Sequence, residues 1–169
     1  MVADFDRAAG RLMLISSLLF TGAAGTVLTA HAFEMLGGYL PCHLCLIERY
    51  AYYFAVLASI TAFFAARAEK DDVARIIFAL IALAFLANTA LGFYHSGVEW
   101  KWWPGPTECS GGSTIQWGEG GLAGSLENNK VVACDEAAWR LLGLSFAGWS
   151  AVLSFLLAGL AAYGAARKR

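Results

Sequence analysis

Four long apolar segments constrain the fold of this chain more than any other feature of its sequence. They cover residues 12–33, 44–66, 76–94 and 144–166. Each is close to the length of about 20 residues that a helix needs to cross the hydrocarbon core of a bilayer. The sequence therefore predicts an all-α membrane protein, a single domain over residues 1–169 built as a four-transmembrane-helix bundle.

Composition supports a membrane protein and excludes one class of partner. Of the 169 residues, 59% are hydrophobic and 15% are charged, whereas soluble domains carry about 25% charged residues. The formal net charge is −1, so no basic surface is available to neutralise phosphates. We therefore expect partners in or beside the lipid bilayer and no binding to nucleic acid.

Lysine and arginine are unevenly distributed between the predicted loops. One side of the predicted bundle carries eight of them: Arg7, Arg11, Arg67, Lys70, Arg75, Arg167, Lys168 and Arg169. Short loops rich in these residues stay in the cytoplasm. We therefore expect both termini to be cytoplasmic and the loops 34–43 and 95–143 to be periplasmic.

All four cysteines fall on the predicted periplasmic side. Cys42 and Cys45 lie where the second segment begins, and Cys109 and Cys134 lie in the long loop. An even number of cysteines confined to an oxidising compartment indicates disulfide chemistry. Four cysteines allow three pairings, and the count alone leaves all three open.

Cys42 and Cys45 form a CxxC motif directly after Pro41, a residue favoured at the first position of a helix. Unpaired backbone N–H groups at a helix N-terminus stabilise a thiolate. Arg49 follows Cys45 by four residues, so both lie on one helix face. We expect Arg49 to stabilise a Cys45 thiolate and to donate hydrogen bonds to a carbonyl oxygen of a bound ring. The alternatives are an Arg49 side chain that extends to lipid headgroups or pairs only with Glu48.

Glu48 and three histidines complete the candidate polar residues. We expect Glu48 to be a structural partner of Arg49. His95 follows the third segment at a predicted depth similar to that of Arg49, where it either borders the pocket for the ring or caps the helix at the interface. His43, between the two cysteines, either stabilises a thiolate or is solvated. We expect His31 to be a hydrogen-bonded packing residue.

The long loop has two further features. Three tryptophans predict an interfacial aromatic belt, with a substrate platform as the alternative: Trp100, Trp102 and Trp103. Residues 135–143 predict a short amphipathic helix at the membrane surface, with Asp135 as its N-cap. The side chains expected to face lipid are Trp139, Leu141 and Leu142.

A metal site is a weaker interpretation of the cysteines. Zinc needs four ligands at suitable spacing, but Cys109 and Cys134 do not form a second CxxC motif. Attachment of haem c requires a histidine directly after the second cysteine, and Leu46 occupies that position. A b-type haem between His31 and His95 is less favoured because both are predicted near one surface. We therefore expect no metal.

With these residues in place, the chain resembles the disulfide bond formation protein B (DsbB) family over nearly its whole length. The matching segments are PCHLCLIERY at 41–50, YHSGVEW at 94–100, GPTEC at 105–109 and CDEAAWRLLGLS at 134–145. A CxxC motif followed by Glu-Arg, together with a separated cysteine pair in a chain with four spans, is highly specific for this family.

The resemblance implies a protein-dithiol:quinone oxidoreductase of the bacterial inner membrane. By resemblance, the cysteines pair as Cys42–Cys45 and Cys109–Cys134. A periplasmic thioredoxin-fold oxidase of the DsbA type attacks Cys109, Cys134 attacks Cys42, and Cys45 passes electrons to ubiquinone or menaquinone. The resemblance also makes Arg49 the arginine that contacts the quinone.

Glu48 and His95 are further candidates for the quinone site.

Two other protein classes are alternatives to a quinone-dependent oxidoreductase. A structural tetraspan protein with static periplasmic disulfides would not need Arg49 one turn from Cys45. A vitamin K epoxide reductase-like enzyme also has four helices and a CxxC motif, but there the motif follows the loop cysteines instead of preceding them.

Overall fold

Four helices dominate the computed structural model, which describes residues 2–106, 130–131, 134–137 and 139–166. They are α1 (Val2–Gly37), α2 (His43–Arg67), α3 (Asp71–Glu99) and α4 (Phe146–Ala166). All four are long and apolar enough to cross a membrane. The predicted four-helix membrane architecture is thus confirmed, and α4 begins two residues later than the predicted span.

Helix α2 packs against its neighbours mainly through small side chains, and many large apolar side chains of the bundle face outward. Helix α2 packs against α1 and α3, and α3 packs against α4. The buried positions of α2 recur every three or four residues and are mostly small beyond its first turns: Tyr52, Ala55, Ser59, Ala62 and Ala66. Leu28, Leu57 and Leu83 are among the exposed leucines. This distribution suits a bundle surrounded by lipid, because small residues let helices approach closely.

A buried polar cluster links three of the helices near the middle of the bundle. The Tyr52 hydroxyl of α2 donates to the Ser150 carbonyl of α4 at 3.1 Å and lies 2.9 Å from the Ser154 hydroxyl. The Asn88 side chain of α3 donates to the same Ser154 hydroxyl at 2.9 Å. These polar groups satisfy one another where lipid and packed side chains offer no alternative partner.

A short parallel pairing ties the long loop to the connection between α1 and α2. Strand β1 (Tyr39–Leu40) pairs with β2 (Lys130–Val131), so that Tyr39 is opposite Lys130 and Leu40 is opposite Val131. The chain reaches Cys134 three residues after β2. The pairing therefore brings this part of the loop to the end of the bundle where α2 begins, hereafter the cysteine end.

The predicted amphipathic helix at 135–143 is wrong for the described part of that segment, which contains a hairpin. Strand β3 (Arg140–Leu141) pairs antiparallel with β4 (Leu144–Ser145). The two residues between them, Leu142 and Gly143, have φ values of 53° and 85°. Two positive φ angles are typical of the type I′ turn that connects tight hairpins, and an α-helix cannot contain them.

Asp135 and Trp139 make contacts that differ from those predicted, which were a helix N-cap for Asp135 and lipid for Trp139. The Asp135 carboxylate accepts from Lys101 Nζ at 2.6 Å, and this ion pair lowers the pKa of the carboxyl. The Trp139 ring packs against Phe33 and Phe146, with centroids 5.7 and 5.5 Å away. Both side chains therefore attach the segment to the bundle.

The three loop tryptophans form an aromatic cluster at the end of α3. Trp103 stacks on Tyr94 and donates from Nε1 to the Tyr94 carbonyl at 2.9 Å. Gly97 makes room for this ring, because an added Cβ would overlap it. Trp100 and Trp102 are exposed. Their interfacial role remains a prediction.

Gly92→Val should destabilise the contact between α3 and α4. A Cβ at Gly92 would lie 3.1 Å from the Ala151 Cβ and 3.2 Å from the Ala147 carbonyl oxygen. Overpacking of this kind costs about 1–3 kcal/mol. We expect a lower midpoint of thermal unfolding in detergent. Gly159→Val is the matched control because a Cβ there meets nothing within 4 Å. Equal midpoints for the two variants would contradict this account of the interface.

Candidate functional site

The CxxC motif forms the N-terminus of α2. Cys42 is the N-cap residue, and its sulfur accepts a hydrogen bond from the Cys45 backbone N–H at 3.3 Å. Pro41 therefore precedes the cap and does not occupy the predicted first helical position. Both cysteines are free thiols, and their sulfurs are 2.9 Å apart. This separation places the two sulfurs for disulfide formation without a large backbone movement.

Cys42 is the buried end of a chain of polar contacts between α2 and α3. His95 Nε2 lies 3.7 Å from the Cys42 sulfur, and His95 Nδ1 lies 2.7 Å from Glu48 Oε1. The His95 and Glu48 residues are 2% and 5% exposed. Because a carboxylate accepts, Nδ1 donates to Glu48 and Nε2 faces the sulfur. The arrangement is a buried thiol, imidazole and carboxylate in series.

This environment favours the thiolate form of Cys42. The pKa of the Cys42 thiol is lowered to about 4, first by the hydrogen bond from the Cys45 thiol and then by His95, against the opposing effect of burial. The sequence predicts a different stabilised thiolate, that of Cys45, with Arg49 as the stabilising charge. In the structure the stabilised sulfur is that of Cys42, because the histidine that contacts it is 53 residues away and is brought there by α3.

The expected pairing between Glu48 and Arg49 is wrong. Glu48 binds His95, and Arg49 Nη1 donates to Glu34 Oε2 on α1 at 2.7 Å. Neighbouring residues on an α-helix point about 100° apart, since a turn takes 3.6 residues. Glu48 and Arg49 therefore face different neighbouring helices and bind different partners.

Cys134 lies beside the CxxC motif. It is 3% exposed, is disulfide-bonded, and belongs to a buried cluster with Cys42 and Leu44. Cys109, its predicted partner, lies outside the described residues. The structure thus brings one loop cysteine together with the CxxC pair, and the Cys109–Cys134 pairing remains a proposal.

A cavity of about 570 Å³ opens beside the CxxC motif. Its polar lining at the cysteine end comes from Cys42, Cys45, Glu34, Glu48 and Arg49. Its walls are otherwise mainly apolar and come from α1, α2, α4 and the hairpin, including Gly22, Gly25, Val27, Phe146 and Leu153. From Glu34 to Gly22 the cavity follows α1 for about 18 Å, given a rise of 1.5 Å per residue. It suits an elongated apolar molecule with one polar head.

The histidines occupy distinct positions around this site. His95 is not among the residues that line the cavity, contrary to one of its two predicted roles, and lies behind Cys42 and Glu48. His43 is exposed. His31 is hydrogen-bonded as predicted, to Glu34 at 3.1 Å and to the Tyr53 hydroxyl at 2.9 Å.

Glu34 is a site residue that the sequence analysis missed. It lines the cavity and binds Arg49. One signal was available: Glu34 follows His31 by three residues near the end of the first apolar segment, a spacing that places both on one helix face. The partner on α2 could not be found in this way, because it depends on how the two helices are rotated against each other.

Three potential metal ligands lie within 4.8 Å of one another: Cys42, Cys45 and His95. Tetrahedral zinc with Zn–S distances of about 2.3 Å holds its sulfurs about 3.8 Å apart. The sulfur separation of 2.9 Å is shorter than that and favours thiol–disulfide chemistry.

Comparison with known proteins agrees with this geometry. Residues 12–164 match the family described as Disulfide bond formation protein DsbB. A relative named Disulfide bond formation protein B from Nitrosospira multiformis is 25% identical, with 86% of each chain covered. One with the same name from Aromatoleum aromaticum is 29% identical, covering 89% of this chain and 90% of the relative. An uncharacterized protein of Rickettsia prowazekii is 26% identical, covering 87% and 84%. No solved structure matches significantly.

The family match covers the CxxC motif, the loop cysteines, the first three predicted spans and all but the last two residues of the fourth. The helices and the buried thiols supply a membrane setting and a redox group of the kind that disulfide formation requires. The chain therefore belongs to the DsbB family of membrane disulfide bond formation proteins.

Proposed function

We propose that this protein reoxidises a periplasmic thiol oxidase of the DsbA type and passes the electrons to a membrane quinone. One observation carries the proposal: the CxxC pair packs against a loop cysteine and also lines a largely apolar cavity. Cys42 packs with Cys134, and Cys45 lines the cavity together with Arg49. The pair is thus placed to receive electrons from the loop and to release them towards the bilayer.

The loop side provides a path for thiol–disulfide exchange. A partner thiolate attacks the disulfide of Cys109 and Cys134, forms a mixed disulfide at Cys109 and releases the Cys134 thiolate. Once Cys42 and Cys45 are oxidised to a disulfide, Cys134 attacks the Cys42 sulfur, and Cys45 leaves as a thiolate. Resolution of both mixed disulfides moves two electrons from the partner dithiol to the CxxC pair. The packing of Cys134 against Cys42 and Leu44 supports the second exchange.

We propose that His95, held by Glu48, transfers protons to and from Cys42. His95 Nε2 faces the Cys42 sulfur, and Glu48 holds the ring by its opposite nitrogen. The imidazole accepts a proton when the Cys42 thiolate forms and returns it when the thiol is needed. A carboxylate that orients the ring and stabilises its cationic form serves the same purpose in other catalytic triads. His95 acts from behind Cys42, and Glu48 joins it to the polar lining of the cavity.

The cavity residues fit a quinone. Bound there, ubiquinone or menaquinone would supply a two-electron acceptor. Arg49 donates hydrogen bonds at the cysteine end, where a ring carbonyl needs a donor, and Cys45 lies on the same stretch of the lining. The apolar walls along α1 and α4 suit an isoprenoid tail. The uneven distribution of lysine and arginine supports a location in the bacterial inner membrane, with the cysteines periplasmic and both termini cytoplasmic.

Cys45→Ser should abolish quinone reduction, because the electrons leave the protein through Cys45. The same variant should still trap a reduced DsbA-type partner as a mixed disulfide at Cys109, which shows that it is folded and reactive. Quinone absorbance without oxygen measures the first property, and a non-reducing gel measures the second. Full quinone turnover in the variant would exclude the proposed electron path.

His95→Gln should shift the reactivity of Cys42 to higher pH. His95 lowers the pKa of Cys42, so its loss raises that pKa above the value of about 4 and leaves less thiolate at acidic pH. Alkylation of the reduced protein by iodoacetamide, quantified at Cys42 by mass spectrometry from pH 4 to 8, measures the shift. His43→Gln is the matched control, because His43 is exposed. Identical pH profiles for His95→Gln and the wild type would remove His95 from this role.

Gly25→Leu should block the cavity while leaving the fold intact. Gly25 lines the cavity and is exposed, and a Cβ there meets nothing within 4 Å, so a leucine fits at the edge of the cavity without steric overlap and narrows it. We expect the KM for a ubiquinone analogue to rise about tenfold or more, with the midpoint of thermal unfolding unchanged. Gly10→Leu, on the same helix and also in open space, should leave both values as in the wild type. An unchanged KM in Gly25→Leu would place the quinone elsewhere.

A further inference from the structure

A half-buried ion pair joins α1 to α2 beside the CxxC motif. Arg49 Nη1 donates to Glu34 Oε2 at 2.7 Å, and the two side chains are 14% and 22% exposed. Both residues line the cavity that also contains Cys45. The pair is therefore part of the lining where an acceptor would bind, and not only a link between two helices.

Two further contacts hold this ion pair in place. His31 Nδ1 lies 3.1 Å from the same Glu34 oxygen, and His31 Nε2 lies 2.9 Å from the Tyr53 hydroxyl. His31 and Glu34 are three residues apart on α1, and Arg49 and Tyr53 are four residues apart on α2. Each pair thus lies on adjacent turns of one helix face. The two faces meet as a four-residue network that fixes Glu34 against Arg49.

The contact with Glu34 leaves Arg49 able to bind a second oxygen. A guanidinium has five N–H donors in a rigid planar fork, and the contact occupies one of them. An arginine that is fixed before binding loses less side-chain freedom when a ligand arrives. The opposite charge of Glu34 also offsets the desolvation of Arg49 among apolar walls. Each effect favours recognition of a neutral carbonyl by a preorganised donor.

We propose that Glu34 is a positioning residue that holds the Arg49 guanidinium towards the cavity and thereby sets the affinity for the quinone carbonyl. The inference rests on the proposed function and assigns α1 a part in it. Glu34 touches neither the cysteines nor the predicted path of electrons, so its loss should weaken binding of the acceptor more than it slows turnover at saturating acceptor.

The test compares Glu34→Ala, Glu34→Gln and the wild type in quinone reduction. Dithiothreitol serves as the dithiol and decylubiquinone as the acceptor, without oxygen. Loss of one hydrogen bond to a charged group should raise the KM for decylubiquinone about tenfold in Glu34→Ala, with kcat within about threefold of the wild type. Glu34→Gln retains an acceptor oxygen and should be affected less.

Asp72→Ala is the matched control for Glu34→Ala. Asp72 accepts from Arg75 at 3.3 Å, so the variant breaks another arginine–carboxylate pair, at the end of the bundle opposite the cysteines. Its KM should equal that of the wild type. Quenching of tryptophan fluorescence by decylubiquinone gives the affinity independently of turnover, because Trp139 and Trp149 line the cavity.

Different results would overturn the positioning role of Glu34 and the proposed quinone-dependent function. A wild type that turns over, with an unchanged KM and quenching curve in Glu34→Ala, would overturn the positioning role and leave the proposed function standing. A lower kcat with an unchanged KM, accompanied by a lower midpoint of thermal unfolding, would make Glu34 a structural residue and also overturn it. A wild type that neither binds nor reduces decylubiquinone would overturn the proposed function, and the inference with it.

Discussion

The contact of His95 with Cys42 and Glu48 is the interaction on which the rest of the site depends. Three polar groups that would each be costly to bury alone satisfy one another at the junction of α2 and α3. Their mutual contact fixes how the two helices are rotated. That rotation in turn directs Cys45 and Arg49 into the cavity and leaves Cys42 available to Cys134. The positions of both cysteines relative to the cavity thus depend on one buried hydrogen-bonded series.

The parts of the structure that depend on local sequence could be predicted. The four helices follow from apolar length, and the position of the CxxC motif follows from the start of the second apolar segment. The partners of Glu48 and Arg49 could not be predicted, because they lie on α3 and α1 and depend on helix rotation. Glu34 was missed for the same reason. The spacing of His31 and Glu34 predicts that they share a helix face, but no sequence pattern identifies Arg49 as the partner of Glu34.

The loop segment before α4 shows a second limit of sequence reasoning. Apolar residues at 139, 141 and 142 are compatible with one face of a short helix and also with a strand that ends in a turn. Gly143 decides between them in the folded chain, because it adopts a positive φ directly after Leu142, which does the same. The aromatic contacts of Trp139 with Phe33 and Phe146 then hold the hairpin against α1 and α4. These contacts are tertiary and have no counterpart in the local pattern.

The parallel pairing of β1 with β2 is only two residues long on each strand. Each hydrogen bond of such a ladder contributes about 1 kcal/mol net, so the pairing contributes little free energy to the attachment of the loop. The ion pair of Lys101 with Asp135 is exposed and adds little to this attachment. The strand pairing and the ion pair that hold this part of the loop at the cysteine end are thus individually weak. Both can break without the loss of any contact between the four long helices.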